Sequence, residues 1–157
     1  MPRDTGYALR MSHLAEKFFA MPEQKRRLVL LNLCRKALAV WEAQFPRGGT
    51  RFYKESVTGT TQLLDVELPR EALQELFDSE CSVDVQDRYR EPIVALQNLD
   101  LELPGSAELA YYAIYNAHCR YRRDTPIDER LILNQALSCL PEAGADPAFM
   151  DALSNAG

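Results

Sequence analysis

Two stretches of this 157-residue chain decide the fold prediction: YKESVTGTTQLLDVELP at residues 53–69 and YREPIVALQNLDLELP at residues 89–104. Each begins with tyrosine, a basic residue and glutamate, and ends in an alternating run of leucine, acidic and apolar residues before a proline. The two prolines are 35 residues apart, and a degenerate third copy runs from Gln135 to Pro141. A period near 35 is typical of stacked helical hairpins, which usually present a binding surface rather than a catalytic centre.

Apolar spacing outside the repeats also favours helices. Leu30, Cys34, Leu38, Trp41 and Phe45 form one apolar stripe along a long helix at residues 23–45. Helical spacing or helix-start residues also mark segments 9–20, 52–57, 70–77, 84–98, 106–122, 127–140 and 146–153. We therefore predict an all-α fold of about seven helices, packed as one compact domain over residues 1–157. Helical-hairpin repeats are expected at roughly 37–69, 72–104 and, as a degenerate copy, 107–141.

The alternating segments at 64–68 and 99–103 allow two interpretations. Strict alternation is strand periodicity, but two short strands without further partners are only marginally stable. The segments can instead be extended chain leading into helices that begin at Pro69 and Pro104, because proline suits the first turn of a helix. We favour the second interpretation, since an all-helical array needs no sheet.

Charge is strongly segregated along the chain, although the formal net charge is only −5. Residues 1–64 carry 11 basic and 5 acidic residues, residues 65–108 carry 3 and 12, and residues 109–157 carry 4 and 6. The middle segment, residues 65–108, is called the acidic block below. A block of this kind can attract a basic partner over a distance and disfavours binding to nucleic-acid phosphates.

The basic residues concentrate in the run Lys-Arg-Arg at 25–27 and in a group formed by Arg120, Arg122 and Arg123. The second group lies at the end of a predicted helix, where the helix dipole stabilises cations. The first opposes the dipole of its own helix, and one explanation is that it pairs with the acidic block. Neither group alone has the density or the interleaved aromatic residues of a nucleic-acid site.

A tyrosine-rich helix is predicted at residues 106–122, where four of the seven tyrosines lie. Ala110, Ala113 and Ala117 recur on one side of it and let another helix approach closely. We interpret it as a central helix; the alternative is a tyrosine-rich contact surface, since aromatic residues are favoured in interfaces. His118 on this helix is expected to be a hydrogen-bonded core residue.

Candidates for catalysis and metal binding have simpler structural interpretations. Asp84, Asp87 and Glu91 share a helix face and could bind a hard cation, but no Glu-x-x-His motif of a helix-bundle site accompanies them. The four cysteines form no Cys-x-x-Cys pair and are expected to be reduced, mostly core residues. Because nucleotide-binding, zinc-protease and serine-hydrolase motifs are also absent, we predict no catalytic residue, no metal and no cofactor.

Three stretches together resemble small all-helical immunity proteins of bacterial polymorphic toxin and type VI secretion systems. They are YKESV at 53–57, which follows the helix that carries Trp41, AYYAIYN at 110–116, and NQALS at 134–138. The resemblance spans roughly residues 37–140. It implies a cytoplasmic protein without catalytic residues that binds one cognate toxin and blocks the active site of that toxin.

Charge and resemblance together predict a non-enzymatic toxin inhibitor. Toxins that attack nucleotides or nucleic acids are often basic around their active sites, and an acidic face attracts such surfaces. The candidate partner-binding residues are Asp65, Glu67, Glu71, Glu75, Asp84, Asp87, Glu91, Asp100 and Glu102.

Two alternatives remain beside this prediction. The first is a helical adaptor or regulator that binds another protein through the same face. The second is an enzyme with a carboxylate-bound metal centred on Asp84, Asp87 and Glu91. For all three functions we expect a cytoplasmic protein. We expect no nucleic-acid partner, because the acidic block disfavours phosphates, and no membrane partner, because the longest apolar stretches are too short to span a bilayer. No oligomeric state is predicted.

Overall fold

The structure, a computed structural model, describes residues 13–46, 51–54, 59–64, 66–77, 105–121 and 126–156. Within these ranges the chain forms six α-helices and one antiparallel β-hairpin. Residues 13–19 form α1, and the longer elements follow in the order α2 (Glu23–Gln44), β1 (Arg51–Lys54), β2 (Thr61–Leu64), α3 (Leu68–Phe77), α4 (Gly105–Tyr121), α5 (Glu129–Ser138) and α6 (Ala145–Ser154). A short 3-10 helix, Glu142–Gly144, precedes α6.

Helix α2 is central because apolar residues cover most of its circumference. Its buried residues are Val29, Leu30, Leu31, Leu33, Cys34, Ala37, Leu38 and Trp41. This broad apolar surface lets α2 contact α3, α4, α5 and α6 at once. Although α2 has 22 residues, neither it nor another helix within the described ranges combines the length and apolar character that crossing a bilayer demands.

The closest partner of α2 is α4, and small side chains make the contact possible. Ala110, Ala113 and Ala117 on α4 are fully buried, and the Cys34 thiol reaches the Ala113 carbonyl oxygen at 4.0 Å. Small residues at a helix crossing allow a short interaxial distance. The prediction that α4 is a central helix approached through its alanines is confirmed.

Trp41 connects this core to the start of α3. Its ring centroid lies 4.9 Å from that of Tyr111 on α4, and both side chains are fully buried. The indole Nε1 donates a hydrogen bond of 2.9 Å to the Val66 carbonyl oxygen. Because Val66 lies just before α3, this bond fixes the point at which the chain enters that helix.

Arg70 then holds α3 against α2. Its Nε donates to Glu42 Oε2 at 2.6 Å, and its Nη2 donates to Glu42 Oε1. Such a two-point contact between a guanidinium and a carboxylate fixes direction as well as distance. Two contacts therefore set the position and orientation of α3 on α2: the Trp41–Val66 hydrogen bond and the Arg70–Glu42 ion pair.

The predicted helix at 52–57 is wrong, because residues 51–54 form strand β1. Tyr53 pairs with Gln62 and Phe52 with Leu63 in the antiparallel register. Aromatic and threonine residues favour strands, and Gly59 adopts a φ of 71°, which glycine accepts without strain in a turn. The other predicted helices in the described ranges are present with ends shifted by a few residues. The helix predicted at 84–98 lies outside the described residues.

The first alternating segment is not a strand over its length. Leu64 ends β2, residues 66–67 form a turn, and α3 begins at Leu68, one residue before Pro69. Residues 66–67 do lead into a helix, but Leu64 belongs to a two-stranded sheet, so the expectation of a fold without a sheet is wrong. Segment 99–103 lies outside the described residues.

The first and third copies of the predicted repeat do not share one structure. Gln62 and Leu64 of the first copy lie in β2, whereas Gln135 and Leu137 of the third copy lie in α5. The repeat expected at 37–69 thus contains the end of α2, both strands and the first residues of α3, and is not a pair of packed helices. The threonine-rich sequence of the first copy favours strands, while the third copy is rich in helix formers. The second copy, at 89–104, lies outside the described residues.

Enlarging the alanine at the centre of the α2–α4 contact should destabilise the fold. Ala113→Leu adds volume where both helices are closely packed, so we expect the free energy of unfolding to fall by about 2–3 kcal/mol. Urea unfolding measures the change. Ala39→Leu is the matched control, because Ala39 is exposed on α2 and its substitution should cost less than about 0.5 kcal/mol. Equal effects of both substitutions would contradict the close α2–α4 contact.

Two buried thiols should make the fold less stable in alkali. Burial raises the pKa of Cys34 well above its usual value and raises the pKa of Cys139 from 9.0 to about 12. In the unfolded chain both thiols ionise near their usual pKa, so unfolding releases protons at high pH. The thiol contribution to stability is therefore complete below about pH 8 and decreases as the pH rises toward 12.

The expected loss approaches about 1.4 kcal/mol per pH unit for each thiol. Urea midpoints measured between about pH 8 and about pH 10 test this by difference, because burial also raises the pKa of Tyr112 and Tyr121 and their contribution is common to the two proteins compared. The Cys34→Ala/Cys139→Ala protein should show a shallower decline, whatever its absolute stability. A decline as steep as that of the unaltered chain would show that these thiols are not its cause.

Candidate functional site

Three of the nine candidate partner-binding residues have described side chains: Glu67, Glu71 and Glu75. Glu67 precedes α3 and Glu71 lies in its first turn, both of them half-buried. The helix dipole stabilises carboxylates at this end of a helix, so their positions agree with the local electrostatics. The remaining candidates, Asp65, Asp84, Asp87, Glu91, Asp100 and Glu102, lie outside the residues whose side chains are described.

Glu75 departs from the exposed acidic face on which the sequence placed it. Its Oε1 lies 2.8 Å from Nε2 of His118 on α4, and the Glu75 side chain is only 13% exposed. His118 is buried, so its ring requires a polar partner inside the fold. The prediction that His118 is a hydrogen-bonded core residue is confirmed, and Glu75 serves as the contact that fastens α3 to α4.

A second buried carboxylate, Glu129, joins three helices. Glu129 is only 4% exposed, although it lies in the first turn of α5. Arg26 on α2 donates through Nε to Glu129 Oε1 at 2.9 Å, and the Tyr121 hydroxyl on α4 donates to Oε2 at 2.6 Å. Arg120 Nη2 lies 3.8 Å from Oε1. These partners compensate a charge that would otherwise be costly to bury.

Aromatic rings hold the surrounding guanidiniums in place. The Cζ atoms of Arg26 and Arg130 lie 5.9 Å and 4.9 Å from the centroid of the Phe19 ring. Those of Arg27 and Arg120 lie 5.6 Å and 5.7 Å from the Tyr121 centroid. Both spacings suit cation–π attraction. We call this group the arginine–aromatic cluster, formed by Phe19, Arg26, Arg27, Arg120, Tyr121, Glu129 and Arg130.

The cluster corrects two expectations about the basic residues. Arg26, in the run at 25–27, pairs with Glu129 and donates to the Met21 carbonyl oxygen, so the partners that the structure describes for it lie outside the acidic block. The run at 25–27 and Arg120 were predicted as separate groups without aromatic partners, but folding brings them together around two rings. Phe19 lies only a few residues before the run, but Tyr121 and Glu129 are about 100 residues away, so no local pattern could reveal the whole arrangement.

Sequence reasoning missed Glu129 as the organising residue, although a signal was present. Three cations in the first turns of α2 oppose its dipole and therefore need a compensating partner. In the sequence, Glu129 stands near the start of a predicted helix, where an acidic residue is already explained by the helix dipole. Asp128 already caps that helix by accepting a hydrogen bond of 2.9 Å from the Arg130 backbone N–H. Glu129 is therefore free of the capping role and turns toward α2 and α4.

An open groove of about 620 Å³ lies between α2 and α3. Leu38 and Leu73 form its apolar part, and Arg35 and Arg70 contribute two guanidiniums. The Arg35 Cζ lies 3.9 Å from the centroid of Phe77, an exposed ring at the end of α3. The groove thus joins apolar surface to positive charge beside the helix that carries Glu67 and Glu71.

The described residues contain no group of three or more histidine, cysteine, aspartate or glutamate side chains arranged to hold a metal ion. The metal site considered from the sequence, at Asp84, Asp87 and Glu91, lies outside the described residues. The buried carboxylates that are described, Glu75 and Glu129, each contact a cationic or titratable side chain within the fold. Their geometry accounts for how α3, α4, α2 and α5 pack together.

Removing the charge of Glu129 should destabilise the protein strongly. Glu129→Gln keeps the shape of the side chain but leaves the guanidiniums of Arg26 and Arg120 without their carboxylate. We expect the free energy of unfolding to fall by about 2–3 kcal/mol in urea titrations. Asp151→Asn is the matched control, because it breaks the exposed Lys36–Asp151 pair at 2.6 Å and should cost less than about 1 kcal/mol. If the two substitutions have equal effects, Glu129 does not organise the three helices.

Comparisons with known proteins identify no relative of this chain. No protein-family model matches the chain, and no similar curated protein or solved structure was found. What the site does must therefore be inferred from the residues, contacts and charges of this chain.

Proposed function

We propose that this chain is a non-enzymatic immunity protein, which binds a cognate bacterial toxin through an acidic surface and blocks its active site. The observation that carries the proposal is the acidic block at residues 65–108, with 12 acidic and 3 basic residues. A surface with this excess of one charge attracts a basic partner and repels partners of the same sign. The resemblance to small all-helical immunity proteins supports the same function.

Three ion pairs of the described residues use carboxylates that lie outside the acidic block. Arg26 pairs with Glu129, and Lys36 with Asp151, so both pairs take their carboxylates from outside the block. Arg70 is one of the three basic residues within the block, and Glu42 binds it from α2. One of only three basic residues in the acidic block is therefore paired with a carboxylate outside the block.

The way α3 is held supports a role in binding. Three contacts fix this helix: Trp41 to Val66, Arg70 to Glu42 and Glu75 to His118. Because α3 is fixed, Glu67 and Glu71 lie on a preorganised element. A preorganised surface loses less conformational entropy when a partner binds, so more of its interaction energy appears as affinity.

A helical adaptor for another basic protein is the second candidate, since the same fixed acidic helix would suit it. Expression of the product of the gene immediately upstream distinguishes the two. If the chain is an immunity protein, that product arrests growth when expressed alone, co-expression of this chain restores growth, and the two proteins purify as a complex. A harmless product, or one that does not bind, would exclude the immunity proposal.

Charge reversal on α3 tests the proposed surface. The Glu67→Lys/Glu71→Lys variant should bind the toxin with an association rate at least about tenfold lower at low salt, because electrostatic steering is lost. Surface plasmon resonance measures this rate. Glu16→Lys/Glu23→Lys is the matched control: both residues are exposed outside the block, and Glu23, like Glu71, lies in a first helical turn. Equal slowing by both variants would assign the effect to net charge and contradict the surface.

A further inference from the structure

We propose that the arginine–aromatic cluster is a second binding surface, which takes a short acidic segment of a protein partner. This surface has the opposite charge to the acidic block, and none of its residues lies within residues 65–108. The inference is independent of the immunity proposal, because it rests only on contacts among α1, α2, α4 and α5.

The four arginines of the cluster divide into two inner and two outer ones. Arg26 donates to Glu129, while Arg120 lies close to that carboxylate and donates through Nη1 to the Ile127 carbonyl oxygen. Arg27 and Arg130 are exposed, and neither forms an ion pair with any carboxylate in the described part of the chain. Among the described residues, no carboxylate neutralises either outer guanidinium.

The outer guanidiniums are held before any partner arrives. Arg27 lies over Tyr121, whose hydroxyl is bound to buried Glu129, and Arg130 lies over Phe19. Phe19 in turn makes an edge-on contact with fully buried Phe18, at a centroid distance of 5.0 Å. An arginine stacked on a ring keeps its N–H groups free to bind a carboxylate at two points. Arginine and aromatic residues are also enriched among the residues that contribute most to binding.

The geometry favours an acidic peptide over a nucleic acid. Affinity for a nucleic acid grows with the number of neutralised phosphates, and two outer guanidiniums supply few such contacts. The net charge of −5 adds repulsion against a long polyanion. Two separate carboxylates beside an apolar side chain match the outer arginines and the partly exposed Phe19 ring.

Fluorescence anisotropy with the whole chain tests this proposal. The probe is a short fluorescein-labelled peptide of alternating glutamate and phenylalanine, measured at moderate salt beside the matching lysine peptide and a labelled thymidine oligonucleotide. We expect saturable binding of the glutamate peptide alone. The Arg27→Ala/Arg130→Ala variant should weaken it by about tenfold or more, since these arginines would be the central contacts.

Arg35→Ala is the matched control. Arg35 is also an exposed arginine on α2 that lies over an aromatic ring, but its ring is Phe77 in the α2–α3 groove. This variant should bind the glutamate peptide with unchanged affinity. The proposal is overturned by absence of saturable peptide binding, by an equal loss in Arg35→Ala, or by tighter binding of the oligonucleotide that depends on Arg27 and Arg130. Urea unfolding of each variant shows whether it remains folded. The peptide assay contains no toxin, so its result can be read even if the immunity proposal fails.

Discussion

The close contact between α2 and α4 is the constraint on which the rest of the structure depends. Alanines on α4 let the two helices approach, and Trp41 and Tyr111 fill the space beside them. Because both helices are apolar around most of their circumference, the pair offers several faces to other elements. Helix α3 packs against both helices, as does α5, while α6 packs on α2. A bulky residue in the alanine row would displace every one of these partners together.

Polar contacts then determine how each outer helix is oriented on this pair, since apolar burial alone has little directionality. Helix α3 is fastened by Arg70 to Glu42 and by Glu75 to His118, while α5 is fastened by Glu129. A buried carboxylate without its partner is costly, so these contacts penalise misplaced helices more than they add to stability. The same contacts bring Glu67, Glu71 and the arginine–aromatic cluster to defined positions on the surface.

The helices could be predicted from the sequence because apolar spacing is a local signal. Trp41 and Phe45 lie at helical spacing in the sequence and are buried in the structure. The hairpin at Tyr53 was missed because residues 52–57 are too few for periodicity to separate a helix from a strand. The Glu129 contact was missed for a different reason: Arg26 and Glu129 are separated by 103 residues, and charge alone does not select a partner at that distance. The acidic residues were placed correctly on α3, but the inward turn of Glu75 depends on a histidine 43 residues away.

Among the described residues, Arg27 of the cluster and the Arg70–Glu42 contact that holds α3 lie near opposite ends of α2, so the two proposed surfaces can act independently. Arg27 lies near the start of this helix and Glu42, which holds α3, lies near its end. Fifteen residues of α-helix between these positions span about 22 Å at 1.5 Å per residue. The Debye length at physiological ionic strength is about 8 Å, so the field of one surface is largely screened at the other. A basic partner at α3 and an acidic segment at the arginine–aromatic cluster would therefore not compete through charge, and occupation of one surface would leave the affinity of the other nearly unchanged.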